Sequence, residues 1–427
     1  MSIDAVATTC PKCEQVVVEN EGYRTWCPEC NWNLADDFGR PRRGFVRRRL
    51  DRASDRLVVS LYEDLRSDGV SPPGWDAARV ASYMVAGGVH LLTVALVVTA
   101  VTVSVVSPVF PVIVLSLLLL AVAFFIRPRF GRMPKGAPLL ARMDAPELYR
   151  LLDRVADEVG ARRVDVIAID RFFNASYAAV GLRRRRVVTI GLPLWNALSP
   201  EERISVLGHE FGHGVNGDSR HFLVVGTALQ TLRRLYALLR RDREWEHRVP
   251  GSFVALLGLV LRLVKWLLRL PVAGTYLALS MLTLRAGQRA EYLADRLAAA
   301  TASAAATADA LDKLRTVEET LLPAISFQAA FPQKIHLWNK QRELIARIPA
   351  LELERRRRIS AITEHRVDSS HPPTRLRIEL LRGLPTTEPT ISLTAQETDA
   401  IEKELGPTYA KIAVDLAAPY RAAHYES

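Results

Sequence analysis

The chain has 427 residues, 57 Lys and Arg against 46 Asp and Glu, a net charge of +11 and four cysteines. All four cysteines lie within the first 30 residues and no apolar leader precedes them, which argues against a disulfide-stapled secreted module and for a reducing compartment. The basic balance suits nucleic acid or an anionic membrane surface, but the arginine runs at 183–186 and 355–358 carry no interleaved aromatics, so nucleic acid is not expected as a partner.

The first element is a pair of CxxC knuckles, Cys10-Pro11-Lys12-Cys13 and Cys27-Pro28-Glu29-Cys30. Four thiolates at that spacing close a tetrahedral structural zinc site on two short hairpins, predicting a four-cysteine zinc ribbon over residues 1–36. Trp26 and Trp32 are read as its small core rather than as a recognition surface. A basic linker, 37–78, follows, with an amphipathic helix near 50–65 and a break at Ser71-Pro72-Pro73-Gly74.

From Val80 to Ile126, 47 consecutive residues contain no Asp, Glu, Lys or Arg. A single helix of that length would run about 70 Å, more than twice a bilayer core of about 30 Å, so the segment folds back at Ser107-Pro108 and Pro111. The expectation is a transmembrane hairpin within 79–130, with spans near 81–105 and 110–126. Arg40, Arg42, Arg43, Arg47, Arg48, Arg49 and Arg79 precede it and Arg127, Arg129, Arg132 and Lys135 follow. Those flanks predict both ends, and hence the ribbon and the chain beyond the hairpin, on the cytoplasmic side of the cell (inner) membrane, with the lipid bilayer as a partner. The arginine runs further along are read as solvated faces or lipid contacts.

Residues 144–160 read as a helix, and 164–169, 174–180 and 186–191 as strands. Ser199-Pro200-Glu201-Glu202 then reads as a helix start, with Ser199 as N-cap and Glu202 closing a capping box. On that helix stands His209-Glu210-Phe211-Gly212-His213. Two imidazoles at i and i+4 share one face and reach one metal, with the Glu210 carboxylate beside it. The longer HExxHxxGxxH pattern is absent, because Asn216 and Ser219 stand where its Gly and third His belong. A catalytic zinc needs a third protein ligand from elsewhere and an open position for water.

A further apolar stretch, about 250–285, is interrupted by Arg262, Lys265 and Arg269, and is expected as an interfacial or re-entrant hairpin broken at Pro271. Beyond it lies Glu291-Tyr292-Leu293-Ala294-Asp295, in an Ala-rich helical run 78 residues past His213. Glu291 and Asp295 lie on one helix face, so one can offer a carboxylate to the metal and the other an acceptor to a ligand histidine. The remainder is mostly helical.

Taken together, Asn174-Ala175, HEFGH with Asn216-Gly217-Asp218, the EYLAD run, and Ser370-His371-Pro372-Pro373-Thr374 with Arg377 resemble the integral-membrane gluzincin metallopeptidases of the HtpX-like and CAAX prenyl protease type, over about residues 140–380. The resemblance implies catalytic zinc on His209, His213 and Glu291, Glu210 as general base, and Asp295 behind a ligand histidine. It also implies His371 near the metal or the scissile carbonyl, and Asn174 and Ala175 on an edge strand that receives substrate. The expected fold is a mainly helical α+β zincin domain, 139–427, behind the ribbon and the transmembrane hairpin. The expected function is a membrane-anchored zinc endopeptidase with one catalytic and one structural Zn2+, acting on protein or peptide substrates, membrane proteins among them. A catalytically silent membrane scaffold whose ribbon recruits a partner is the alternative.

Overall fold

The computed structural model describes residues 6–35, 45–69, 76–129, 131, 133, 134, 136–181, 183–215, 222–240, 252–331, 337–363, 371–386 and 388–424. Several sequence readings therefore lie outside the described residues: Arg40, Arg42 and Arg43, the Ser71–Gly74 break, Arg132 and Lys135, Asn216-Gly217-Asp218, and Ser370. The chain is mainly helical α+β and divides into two compact units. One holds Met1–Pro72, Arg132–Asn216 and Gln288–Ser427; the other holds Pro73–Gly131 and Gly217–Gly287.

In the first unit, strands β1 (Val6–Thr9) and β2 (Val16–Glu19) form an antiparallel hairpin around the first knuckle. Helix α1 (Phe45–Asp68) turns Val58, Leu61, Tyr62 and Leu65 inward against Tyr292 and Leu376. Their i, i+3, i+4, i+7 spacing is the apolar stripe of an amphipathic helix.

Four more strands build the sheet beside the site: β3 (Leu139–Leu140), β4 (Val166–Asp170), β5 (Ala175–Val180) and β6 (Arg185–Gly191). Their order is β3-β4-β6-β5, with β4 parallel to β6 and β5 antiparallel to it, so β5 is an outer strand. The β5–β6 turn uses positive φ at Gly181 and Arg184. Helix α4 (Pro146–Val159) opens on a proline and ends on left-handed Gly160, as helix termini favour. Its buried Leu148, Leu152 and Val155 pack with Ile167, Ile169, Val188 and Ile190 of the sheet.

The helices of this unit continue with α5 (Leu192–Ala197) and α6 (Pro200–Val215). In the second unit, α2 (Ala77–Val106) and α3 (Phe110–Ile126) form a helical pair, followed later in the chain by a short π-helix, Phe222–Gly226, and α7 (Thr227–Leu238). The π-helix leaves carbonyls without their usual partners; His90 of α2 meets one, its Nε2 2.8 Å from the Val224 oxygen. Among the described residues, two helices are long and apolar enough to cross a membrane, Ala77–Val106 and Gly258–Thr301, while Phe110–Ile126 is shorter. Their apolar surface is turned outward, Val105, Phe110 and Phe124 being 76%, 79% and 65% exposed, unlike the core helix of a water-soluble domain.

The break expected at Pro271 does not occur. Helix α8 (Ser252–Thr301) runs through Pro271 as one 50-residue element. A proline removes one hydrogen bond and crowds one carbonyl, which a long apolar helix outlasts because every other backbone group stays paired within it. After Leu284 the composition turns polar at Arg285, Gln288, Arg289 and Glu291, and the helix passes into the first unit. There α9 (Ala304–Thr316), α10 (Leu321–Ala330), α11 (Leu337–Ala346), α12 (Ala350–Thr363), α13 (Thr374–Arg382) and α14 (Ala395–His424) complete the fold.

Candidate metal centre and active site

Helix α6 starts where its sequence directs. Ser199 N–H donates to Glu202 Oε2 at 2.7 Å and Glu202 N–H to Ser199 Oγ at 3.3 Å, the reciprocal capping box. Lys313 adds a bond to the same carboxylate oxygen at 2.7 Å. Leu207 and Phe211 are buried, and the helix then approaches α8 through residues without side chains. A Cβ on Gly212 would stand 3.0 Å from the Ala294 Cα, and one on Gly208 3.2 Å from the Ala298 Cα. This close passage carries the α8 carboxylates to the α6 imidazoles.

His209 Nε2 and His213 Nε2 stand 3.2 Å apart, His209 Nε2 lies 3.6 Å from Glu291 Oε2, and His213 Nε2 lies 3.5 Å from Glu291 Oε1. Ligand bonds of about 2.0–2.2 Å in tetrahedral directions separate donor atoms by roughly 3.4 Å, so these separations suit one zinc ion, with a different Glu291 oxygen facing each histidine. Glu291 Oε2 is buried and makes no hydrogen bond among the described residues, a penalty that a metal ion removes. The residues present therefore fit a metal.

Behind this grouping, Asp295 Oδ1 lies 3.0 Å from His209 Nδ1. A proton shared there leaves the Nε2 lone pair for a metal. Arg377, 5% exposed, donates from Nε and Nη2 to the two Asp295 oxygens at 2.7 and 2.5 Å, and its Nη1 lies 3.4 Å from Glu291 Oε2. Its Nη2 is also 3.4 Å from His209 Nδ1; two donors facing one carboxylate explain that approach better than a bond between them. Burial works to raise the Glu291 pKa, but the hydrogen bond from His371 and the charges of Arg377 and His209 outweigh it and hold the carboxyl at about 2. Asp295 is likewise held below the ordinary range, because the Arg377 charge overcomes complete burial.

Glu210 follows His209 on α6, and its Oε2 accepts the Tyr177 amide at 3.2 Å. Tyr177 lies in β5, so that outer strand runs along the acid, with its ring 5.0 Å from that of Phe211. Ala175 begins the strand; its amide donates to Asn174 Oδ1 at 2.8 Å, and the Asn174 carbonyl accepts from Gly191 at 2.8 Å. His371, just before α13, places Nδ1 2.8 Å from Glu291 Oε1. Its side chain is half exposed, against the carboxylate rather than in the histidine pair.

At the ribbon, Cys10 Sγ and Cys30 Sγ are 3.7 Å apart and Cys13 Sγ and Cys27 Sγ 3.5 Å, and all four thiols are free. Zinc–sulfur bonds of about 2.3 Å put tetrahedral sulfurs roughly 3.8 Å apart, whereas a disulfide needs about 2.05 Å. Burial opposes ionisation of Cys10, yet the Lys12 and Cys13 amides bring it down to about 7. Cys13, despite the Gln15 amide, is pushed up to about 12 by burial and its thiol neighbours. Crowded thiols cannot all ionise without a cation, so this cluster also fits a metal.

Residues 142–384 match the model of peptidase family M48. The chain belongs to peptidase family M48. Two curated relatives carry the name "Protease HtpX homolog". The one from Syntrophobacter fumaroxidans is 27% identical over 169 residues, 38% of this chain and 55% of that protein. The one from Methanocaldococcus jannaschii is 24% identical over 279 residues, 63% of this chain and 86% of that protein. The chain thus spans little more than half of the first relative. No solved structure matches. The chain is thus similar to HtpX-like proteins of that family, and the matched range contains both histidines, Glu210, Glu291, Asp295, His371 and Arg377.

Sequence reasoning assigned no task to Arg377 in this M48 chain, although two carboxylates on one Ala-rich face need a counter-charge once buried, and Arg375, Arg377 and Arg382 follow soon after His371. The Gly208 and Gly212 pair was a second unread signal. The run Arg355–Arg358 is engaged in ion pairs and ribbon contacts, with Arg357 still exposed. Arg355 and Arg356 grip Glu352, Arg357 holds Asp312 at 2.6 Å, and Arg355 and Arg358 bond to the ribbon. Trp26, expected in the ribbon's own core, is absent from the cluster of Cys10, Val17 and Cys27 and is buried against α12.

Proposed function

We propose that this chain is a membrane-anchored zinc endopeptidase that hydrolyses peptide bonds of membrane proteins or peptides. The observation that carries the reading is the zinc-sized grouping of His209, His213 and Glu291, together with Glu210, next to His209 on the same helix, whose carboxylate is held by the Tyr177 amide. A bound zinc supplies Lewis acidity and brings the pKa of a water towards about 7.

The chain's own residues do the rest. Glu210 takes the proton of the attacking water on its carboxylate and returns it to the leaving amine nitrogen, so the chain forms no covalent bond to substrate. The Tyr177 amide fixes Oε2 and with it the plane of that carboxylate. Asp295 keeps the His209 proton on Nδ1, Arg377 keeps Asp295 and Glu291 ionised, and His371 orients Glu291 through Oε1. An extended substrate segment, pairing along β5 from Asn174 and Ala175, would bring its carbonyl past Glu210.

In this reading a ribbon over 1–36, a linker, 37–78, and a hairpin, 79–130, precede a peptidase domain, 139–427, interrupted by its membrane-associated stretch. Arginines on both flanks of the hairpin favour a cytoplasmic face for ribbon and peptidase. The scaffold alternative has no use for a carboxylate held in place beside two histidines. Glu210→Gln should keep zinc and lose about 10²–10⁴ of the cleavage rate, since an amide accepts no proton. Proteomics of membrane fractions from cells carrying Glu210→Gln should recover uncut substrates. Casein cleavage by that variant at the wild-type rate would overturn the mechanism.

A further inference from the structure

The ribbon is held to the peptidase unit through its second knuckle. Trp26, immediately before Cys27, is 1% exposed and donates from Nε1 to the Leu351 carbonyl at 3.3 Å. The Arg358 guanidinium lies over the Trp26 ring at 5.0 Å, within cation–π range. The same guanidinium donates to the carbonyl of Pro28, inside the knuckle, and to Asn31 Oδ1 at 2.9 Å, just past Cys30. Arg355 donates to the Leu34 carbonyl at 3.1 Å. Every ribbon group in this set lies within nine residues around Cys27 and Cys30, and every partner lies on α12.

Those ribbon groups are aimed by the knuckle's shape. The Asn31 amide donates to the Cys27 carbonyl at 3.0 Å, and Asn31 and Asn33 both take left-handed φ near 56°. Such a turn is tolerable to asparagine but costs energy that its surroundings must meet. The described ribbon has little else to meet it: two strands of four residues and an apolar cluster centred on Cys10, Val17 and Cys27. A unit that small relies on its metal for a folded state.

We infer that the second knuckle is a metal-dependent docking surface whose partner is helix α12 of the same chain, so that filling the four-cysteine site seats the ribbon and emptying it releases Trp26, Arg355 and Arg358. The ribbon's contact is thereby made within the chain rather than with nucleic acid or a recruited protein. The pairs of Arg355 with Glu352 and Arg358 with Glu354 lie within α12, so release should leave the helix formed but less protected from opening. This inference does not rest on the peptidase reading.

Hydrogen exchange on the full-length, zinc-loaded protein in detergent, with metal analysis alongside, tests it. Cys27→Ser with Cys30→Ser should remove one zinc per chain and speed exchange at 350–358 by about tenfold or more, although no α12 residue is changed. Arg358→Met with Arg355→Met should retain the ribbon zinc and still speed exchange at 26–34. Wild-type exchange at 350–358 in the cysteine variant, at reduced zinc content, would overturn the inference. So would wild-type exchange at 26–34 in the arginine variant.

Discussion

Asp295 Oδ1 lies 3.0 Å from His209 Nδ1 while the Asp295 carboxylate is gripped from behind by two bonds from Arg377. One residue of α8 thus sets the tautomer of a histidine on α6, and one of α13 sets the charge of that residue. Glu291, one turn earlier on α8, shares the same guanidinium through Oε2 at 3.4 Å.

A ranking of metal affinities follows. Glu291→Ala removes a donor atom, so zinc should be left on two imidazoles and bind far more weakly than in Asp295→Ala, where a loss of roughly 10- to 100-fold is usual for a group behind a ligand. Competition with a chelator of known affinity measures both. Wild-type affinity in Glu291→Ala would remove Glu291 from the ligand set even with HEFGH intact.

Arg377 carries the burial of two carboxylates, and its removal should cost about 3–5 kcal/mol, the usual penalty for an uncompensated buried charge. Arg377→Met should lower the unfolding midpoint of the metal-free protein markedly, and Arg377→Lys should restore part of it, because an ammonium keeps the charge but not the paired geometry. Thermal unfolding of Arg377→Met at the wild-type midpoint would show that the guanidinium is dispensable.

The acid limb of stability has a defined sign. Glu291 is held at about 2 in the folded chain, by His371, Arg377 and His209 acting against burial, and an unfolded glutamate titrates near about 4.3. A lowered folded pKa contributes stability that is complete above the unfolded value and is lost as pH falls through the folded one. The metal-free protein should therefore lose stability between about pH 5 and pH 2. Glu291→Gln should flatten that limb, and an unchanged limb in the variant would contradict the assignment.

Much of this was legible in the sequence because local rules carried it. Ser199 and Glu202 announce the start of α6, the i, i+4 histidines announce their common face, and the spacing of Cys10, Cys13, Cys27 and Cys30 announces a thiol cluster. What was hidden depended on pairs distant in the chain. Nothing near Arg358 names Pro28 or Asn31, and nothing near Arg377 names Asp295. Pro271 misled because proline is a strong local signal, while the continuity of α8 is decided by its whole length and surroundings.

Metal content separates the two clusters. Fully loaded protein should hold two zinc ions per chain, one on the four thiols and one on His209, His213 and Glu291. Cys10→Ser with Cys13→Ser should remove one and leave the other, and His213→Ala should do the converse. Elemental analysis giving one ion in fully loaded wild type would eliminate one of the two sites.

The closest test of how the site is assembled lies at Gly212, which takes no part in the chemistry. Its absent side chain lets α6 pass α8 at a distance where an added Cβ would meet the Ala294 Cα at 3.0 Å and the Ala294 Cβ at 3.2 Å. Backbone and a methyl on a neighbouring helix cannot rotate away, so Gly212→Ala must push the helices apart by some tenths of an ångström. That displacement widens the His209–Glu291 and His213–Glu291 separations of 3.6 and 3.5 Å, which already match one ion. Zinc affinity and cleavage rate should fall together, and Gly212→Val should fall further. Alanine at Gly287, on the same helix α8 but with open space around its Cβ, should leave both unchanged. If Gly212→Ala binds zinc and cleaves as wild type does, the helix spacing does not set the ligand geometry.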